Sequence, residues 1–442
     1  MPTKIDFIGG NTKRCLMTMA LPMIAAMFLN MMYNLVDSLW IGNLLGETAY
    51  AALTNSTPII LILTSVAMGA TNGVSILLSQ AIGARDKNRT ESLIATSFCV
   101  AVVFSVLVTV ILELLLPNIL NALNTPTETY DMAYSYLSIY VLGYLAIYLY
   151  CYFAAVLRSF GNSMFQAIAM LTTTILNAVL DPMFIHFIGF NGAAIATLLS
   201  QLICLLFMLI YLKKKKLFKF KISAFDGNEV LPFIQKAIPS IIQQSIPAIS
   251  TTFLTALVST YSVTAIAAYG ITGKLETILF YPAMALNMVL TTIIGQCIGG
   301  ARYDRAKDYL KCALGYGCGL LVILSVLVIG FSKQLSGLFV KSGDVAVIVG
   351  TYFLIVSIGY VLNAITNCYL GALNGMGKPS KSMFLMIFYY IVVRMPLAYL
   401  LSYLGFGLNG IWVAVLVSHV VASLAATMTG TVLVRKKGTI KA

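Results

Sequence analysis

Apolar stretches long enough to cross a bilayer recur along the whole chain, and this recurrence decides the fold class. A spanning helix needs about 20 apolar residues, and the 442-residue sequence is 60% hydrophobic and only 10% charged. We predict an all-α integral membrane protein with about twelve transmembrane helices. The expected spans are residues 15–41, 53–80, 93–116, 130–157, 164–187, 191–212, 233–258, 265–297, 309–331, 346–372, 382–404 and 408–433.

The placement of the cationic residues predicts the topology. The chain carries 28 Lys and Arg against 15 Asp and Glu, and nearly all of the cations lie at the termini or in alternate loops. This is the positive-inside pattern. It predicts a multi-pass protein of the cell membrane (plasma or inner membrane) with both termini in the cytoplasm. The positive charge therefore indicates contact with anionic lipid headgroups and does not indicate a nucleic-acid partner.

The two halves of the chain resemble each other. Ala20-Leu21-Pro22 recurs as Ala237-Ile238-Pro239, and further motifs recur at offsets of 216 to 218 residues. A highly charged connection at about 213–232 separates the halves. We predict an amino-terminal six-helix lobe over residues 1–222 and a carboxy-terminal six-helix lobe over residues 223–442, as two pseudo-symmetric bundles. A parallel repeat of this kind is typical of transporters that bind a substrate between the two halves.

A polar stripe interrupts the first apolar stretch. Asn30, Tyr33, Asn34 and Asp37 recur at helical spacing, which places them on one helix face. A carboxylate in a spanning helix costs about 3 kcal/mol by insertion scales and is by default a functional candidate. The alternative is that the stripe makes a helix-packing contact or is wetted near the membrane surface.

The fifth apolar stretch carries a second carboxylate, Asp181, one helical turn after Asn177. Pro182 follows and frees the carbonyl group of Ala178. Oxygen ligands suit hard cations such as Na⁺, and two neighbouring carboxylates can share a proton. Asp37 and Asp181 are therefore candidate ligands of Na⁺ or of a proton. A hydrated position near the outer end of the helix is the alternative for Asp181.

The second half offers amides and an aromatic residue where the first half has carboxylates. These side chains can line a substrate cleft or form interhelical hydrogen bonds. They are Gln243, Gln244, Tyr360, Asn363 and Asn367. Met27 belongs to a methionine-rich first helix that suits adaptable drug binding or ordinary packing. We expect structural or gating roles for Lys274 and Glu276, which point to nearly opposite helix faces, and for Arg394, a buried cation that needs a partner.

Several motifs in combination resemble the multidrug and toxic compound extrusion (MATE) transporters over essentially the whole chain. They include Tyr33-Asn34-Leu35-Val36-Asp37, Gln80-Ala81-Ile82-Gly83-Ala84, Leu176 to Pro182 and Gly192 to Thr197. The resemblance implies an antiporter that exports organic compounds, often cationic or amphipathic, against an inward flow of H⁺ or Na⁺. It implies no cofactor besides the coupling ion. The expected partners are such small molecules and membrane lipids, and the expected state is a monomer.

The resemblance also implies where the cation binds. In the family the cation site lies in the amino-terminal lobe, and its pattern carries onto Tyr33, Asp37, Asn177, Asp181 and Thr197 of this chain. A tyrosine of the fourth helix belongs to the same group of residues, and either Tyr136 or Tyr140 fits that role.

The amides of the second half bear on the branch of the family. The NorM-like branch carries acidic residues in the seventh and tenth helices, and this chain has amides there. That favours the DinF-like branch, in which coupling lies in the amino-terminal lobe. One alternative is a flippase for lipid-linked saccharides, which predicts a more cationic cavity than Arg394 and Lys274 provide. The other is an intramembrane enzyme or receptor, which needs a nucleophile–base pair or a large ligand domain.

Overall fold

The fold is built from long helices. The computed structural model describes residues 5–123, 125–215, 221–337 and 342–439, and no strand occurs among them. Ten helices are long and apolar enough to cross a membrane, and a bent helix pair adds an eleventh span. The all-α membrane fold predicted from the apolar stretches is therefore confirmed.

The first half supplies six spans. Its helices in the described residues are α1 (Thr12–Leu45), α2 (Glu47–Gly83), α3 (Lys87–Ala122), α4 (Thr127–Leu142), α5 (Tyr144–Ser159), α6 (Ser163–Ile188) and α7 (Phe190–Lys215). Helices α4 and α5 form one span with a bend of 49° at Gly143. A Cβ atom at Gly143 would lie 2.1 Å from the side chain of Leu198, so the bend occurs where α7 approaches closely.

The second half also supplies six spans. Its helices are α8 (Val230–Ser259), α9 (Val263–Gly299), α10 (Tyr303–Gly337), α11 (Gly343–Gly375), α12 (Pro379–Ile387), α13 (Met395–Leu401) and α14 (Gly407–Thr439). Two π-helical segments, Phe388–Arg394 and Ser402–Phe406, follow α12 and α13. The apolar stretch Pro379–Thr431 has 53 residues, which is enough for two spans. Gly405 (φ 86°) and Gly407 (φ 62°) divide it.

The sequence repeat is also present in the backbone. Arg85 and Ala301, 216 positions apart, have φ values of 59° and 56° in the turns that follow α2 and α9. Gly189 and Gly407 have φ/ψ values of 73°/−146° and 62°/−151° at the starts of α7 and α14. The same unusual conformations therefore mark corresponding turns in the two halves.

The chain divides into two compact units. The first unit contains Leu21–Ile82 and Asp86–Ile241. The second unit contains the segment that ends at Ala20, the turn Gly83–Arg85 and the chain from Ile242 onward. Each unit therefore includes the start of the first helix of the other half.

Repeat-related arginines hold the segments that precede α1 and α8. In the second unit, Arg305 donates hydrogen bonds to the carbonyl oxygen of Gly10 and, at 2.8 Å, to Oγ1 of Thr12. In the first unit, Nε of Arg89 lies 2.8 Å from Oε1 of Glu229, in the linker before α8. Both arginines are the third residue of their helices, α10 and α3. Each arginine thereby fixes a chain segment within its own unit.

Candidate functional site

The predicted cation-site residues come together inside the first unit. Asp37 of α1 is 9% exposed, and Asp181 of α6 is completely buried. Their carboxyl groups face each other closely enough to interact directly. Asn177, one turn before Asp181, donates a hydrogen bond from Nδ2 to Oδ1 of Asp181 at 2.8 Å. The helical spacing predicted the contact within α6, and the packing of α1 against α6 adds the second carboxylate.

Five buried oxygen atoms at this site have no hydrogen-bond partner among the described residues. They are Oδ1 of Asp37, Oδ2 of Asp181, Oδ1 of Asn177, Oγ1 of Thr197 and the hydroxyl oxygen of Tyr33. A buried polar atom without a partner costs about 1–3 kcal/mol. A proton shared by the two carboxyl groups, or a cation bound among the oxygen atoms, would satisfy several of them at once. Carboxylate, amide and hydroxyl oxygens are the ligands that hard cations prefer. The described residues contain no group of three or more His, Cys, Asp or Glu side chains that could hold a metal ion, so the cluster offers two carboxylates together with amide and hydroxyl oxygens.

Both candidate tyrosines of α4 face this site. Tyr136 and Tyr140 are one turn apart and buried, and each interacts electrostatically with Asp37. Tyr136 also interacts with Tyr33 and Asp181, and its ring centroid lies 4.9 Å from that of Phe190 at the start of α7. Both tyrosines that the sequence offered therefore lie near Asp37, and which of them belongs to the cation site stays a prediction.

The polar stripe of α1 divides between two environments. Tyr33 and Asp37 are buried, whereas Asn34 is exposed and Asn30 is partly exposed. Nδ2 of Asn34 donates to the backbone oxygen of Asn30 at 2.9 Å. Met27 is 6% exposed. The two asparagines therefore lie outside the buried oxygen cluster, and their place in a substrate cleft stays a prediction.

The amides of the second half form an interhelical chain. Nδ2 of Asn287 donates to Oδ1 of Asn367 at 3.2 Å, and Nδ2 of Asn367 donates to Oδ1 of Asn363 at 3.1 Å. Asn287 lies on α9, and sequence reasoning missed it because nothing local links it to α11. Gln243 is buried with an unpaired Oε1, and Gln244 is partly exposed. The asparagines thus connect α9 to α11, which favours the hydrogen-bonding alternative for them.

The structure also shows the surroundings of the three charged residues for which the sequence predicted structural or gating roles. The hydroxyl groups of Tyr352 and Tyr360 donate to the carboxylate of Glu276. Lys274 is exposed, as expected for the opposite helix face. Arg394 donates from Nε to Oγ of Ser418 at 2.9 Å, within the second unit.

Comparisons with known proteins agree with this architecture. The MatE family model matches residues 22–183 and 239–400, once in each half. The probable multidrug resistance protein YpnP of Bacillus subtilis (strain 168) is 28% identical over 424 residues, which cover 95% of each chain. The FAD transporter of Shewanella oneidensis is 26% identical over 424 residues, which cover 93% of each chain.

A solved structure shows the same fold. The outward-facing conformation of a multidrug resistance MATE family transporter of the MOP superfamily superposes with a TM-score of 0.94 at 22% identity, covering 99% of both chains. This confirms the predicted architecture of twelve helices in two lobes. The family model matches well over half of the chain, and assignment to the DinF-like branch stays a prediction. The chain therefore belongs to the MatE family and is a multi-pass membrane transporter, not an enzyme.

Proposed function

We propose that this protein is a secondary active efflux antiporter that exports small organic compounds, many of them cationic or amphipathic, in exchange for H⁺ or Na⁺. The observation that carries the proposal is the buried oxygen cluster around Asp37 and Asp181. No lysine or arginine of the described residues forms a salt bridge with either carboxylate. An exchangeable cation can therefore supply the missing positive charge. The names of several relatives, which are multidrug resistance proteins, support the substrate class.

The site lies between two helices, and this suggests how binding drives movement. Two unit charges 4 Å apart repel each other by about 4 kcal/mol at an effective dielectric constant of 20. A cation between Asp37 on α1 and Asp181 on α6 removes that repulsion and holds the helices together. An ion can drive transport only if it binds two conformations with different affinities. We propose that the two conformations differ in the distance between α1 and α6, and that the ion binds more tightly to the one in which these helices are close.

Transport in proteoliposomes tests the proposal. A Na⁺ gradient and a pH gradient are imposed separately, and the efflux of several cationic dyes is followed. FAD is added to the panel because one relative is a FAD transporter. We expect one gradient to drive transport, and we expect Asp37→Asn and Asp181→Asn to abolish it. Asp131→Asn removes an exposed carboxylate of the same unit and should leave the rate unchanged.

Two results would contradict the proposal. Full coupled transport by both the Asp37→Asn and Asp181→Asn variants would remove the site from the mechanism. Transport that responds to neither gradient for any dye or for FAD would favour the flippase alternative. That alternative would then be measured by translocation of a lipid-linked saccharide in the same vesicles.

The positive-inside pattern supports a further part of the proposal. We propose that both termini lie in the cytoplasm, because the basic loops and both basic ends then lie on one side of the cell membrane. We also propose that the protein is a monomer. Membrane-impermeant labelling of single cysteines at Asp6 and Lys87 should require permeabilised cells. Labelling of intact cells at either position would show that the orientation is the opposite of the one proposed. The mass of the purified protein in detergent tests whether it is a monomer.

A further inference from the structure

The second unit contains a charged pair, one member buried and one partly buried, that the proposed cation exchange does not use. Its negative member is Glu276 on α9, whose carboxylate accepts hydrogen bonds from the hydroxyl groups of Tyr352 and Tyr360 on α11. The other three carboxylates of the sequence after Ile242 lie in the first two turns of α10 and α11. Glu276 is therefore the one carboxylate placed well inside a span of this half of the sequence.

The positive member is Arg394, at the end of a π-helical segment, with 6% of its side chain exposed. Its Nη2 donates to the hydroxyl of Tyr389 at 2.7 Å, and the guanidinium carbon lies 4.5 Å from the ring centroid of Tyr390. Nη2 also lies 3.3 Å from Nε2 of His419. A protonated Nε2 would oppose the guanidinium, so this nitrogen accepts and His419 is neutral. The side chains of Tyr389, Tyr390, His419 and Ser418 that contact Arg394 are therefore all uncharged.

Tyr360 and His419 link the two charged groups. Tyr360 donates to Glu276, and its ring centroid lies 5.7 Å from that of His419, which contacts Arg394. No salt bridge between Glu276 and Arg394 occurs in the described part of the chain. Tyrosine hydroxyls solvate both groups. A positive charge near a carboxylate offsets part of the cost of placing that carboxylate inside a unit, and Arg394 is placed to do this for Glu276.

The internal repeat relates the position of Arg394 to the candidate cation site of the first half. The offset of 216 to 218 residues relates it to the turn of α6 around Asn177, beside Asp181. In the described residues, the first unit therefore combines two carboxylates that form no salt bridge with an arginine, and the second unit places an arginine near one carboxylate. We propose that Arg394 is a permanently attached cation that compensates Glu276 in the place of an exchangeable ion, so that the transporter keeps one exchangeable cation site.

This inference rests on the proposed function of Asp37 and Asp181, and the experiment separates the two. Binding of radioactive sodium and uptake of protons are measured on the purified full-length protein. Asp37→Asn together with Asp181→Asn should abolish binding. Adding Arg394→Gln to that double variant should restore binding of Na⁺ or of a proton, and adding Glu276→Gln should abolish it again. Arg394→Lys keeps the positive charge and should restore nothing.

The outcomes have separate meanings. Unchanged binding in the Asp37→Asn/Asp181→Asn variant would contradict the proposed function. In that case Arg394→Gln in the otherwise native protein still tests the inference by a gain of binding that requires Glu276. If Arg394→Gln gains no binding in either background, Arg394 does not stand in for an exchangeable cation and the inference is wrong.

Thermal unfolding covers the case in which Arg394→Gln does not fold. Removing either charge leaves the other uncompensated inside the unit, whereas removing both does not. Glu276→Gln alone should therefore lower the unfolding midpoint, and the Glu276→Gln/Arg394→Gln variant should recover most of the loss. A Glu276→Gln protein as stable as the native one, or strictly additive losses, would show that the two charges do not compensate each other.

Discussion

Asn177 donates a hydrogen bond to one carboxylate oxygen of Asp181, and the other oxygen of Asp181 faces the cluster without a partner. The amide therefore orients the carboxylate and favours its ionised form, because a hydrogen bond donated to a charged group stabilises that group. The amide oxygen of Asn177 is itself unpaired and available as a ligand. Asn177 should therefore weaken the binding of a proton to Asp181 and strengthen the binding of a metal cation at the same site.

Asn177→Ala should identify the coupling ion. If the ion is H⁺, loss of the donor makes protonation of Asp181 easier, and half-maximal transport moves to higher pH. If the ion is Na⁺, loss of the donor and of a ligand weakens binding by about 1.5–3 kcal/mol, so the half-saturating Na⁺ concentration rises about tenfold or more. Transport measured against pH and against Na⁺ distinguishes the two. Thr172→Ala on the same helix is the control, because its hydroxyl contacts only the backbone of Ile168. An unchanged dependence on both ions would contradict this role of Asn177.

Gly189→Ala and Gly407→Ala should each lower the unfolding midpoint by a similar amount. Both positions combine a positive φ with ψ near −150°, a conformation that is essentially restricted to glycine and costs other residues on the order of 1–3 kcal/mol. Gly315→Ala, at an open position inside α10, should be neutral or slightly stabilising. Thermal unfolding in detergent measures all three variants. Equal midpoints for all three would show that these turns adapt to a side chain.

Gly371→Ala should destabilise the second unit through packing. A Cβ atom there would lie 2.5 Å from the backbone oxygen of Asn287, so α9 and α11 would have to move apart. Overpacking of this kind costs about 1–3 kcal/mol, and it would also lengthen the hydrogen bond between Asn287 and Asn367. Gly273→Ala on α9 meets no atom within 4 Å and is the matched control. The midpoint should fall only for Gly371→Ala, and a fall of the same size for both would contradict the close approach.

Arg305→Met should release the segment that precedes α1. Arg305 is partly buried and holds the carbonyl of Gly10 and the hydroxyl of Thr12, so its loss leaves two acceptors unpaired. Hydrogen exchange of residues 5–11 should speed up clearly. Arg89→Met removes an arginine whose side chain is 47% exposed, and such exposed pairs contribute only about 0–1 kcal/mol. Exchange of residues 225–229 should therefore change little in that variant. Unchanged exchange of residues 5–11 in Arg305→Met would show that other contacts hold the segment.

Much of the fold and part of the candidate site follow from the sequence, because both have local signatures. Span length, the recurrence of Gln80 to Gly83 near Gln296, and the one-turn spacing of Asn177 and Asp181 all depend on neighbouring residues or on a fixed offset. The contact of Asp37 with Asp181 followed from the family resemblance, since the two residues lie 144 positions apart in the sequence.

The contacts that could not be predicted from the sequence depend on which side of each helix packs against its neighbours. The stripe on α1 is one face by spacing, yet the structure buries its Tyr33 edge and exposes its Asn34 edge. Glu276 and Tyr352 are 76 residues apart, and no local pattern connects them. The partners of Arg394 likewise become visible only once α14 packs against the π-helical segment.

The division of the chain into units has a consequence for biosynthesis. Residues 5–20 leave the ribosome before Arg305 and the rest of their unit, which are made only after the linker has been synthesised. The start of α1 therefore reaches the membrane before its packing partners have been synthesised. Residues 221–241, in contrast, complete a unit whose other helices have already been inserted. Two separately translated halves would each be missing a segment that belongs to them, and they should assemble only when produced together.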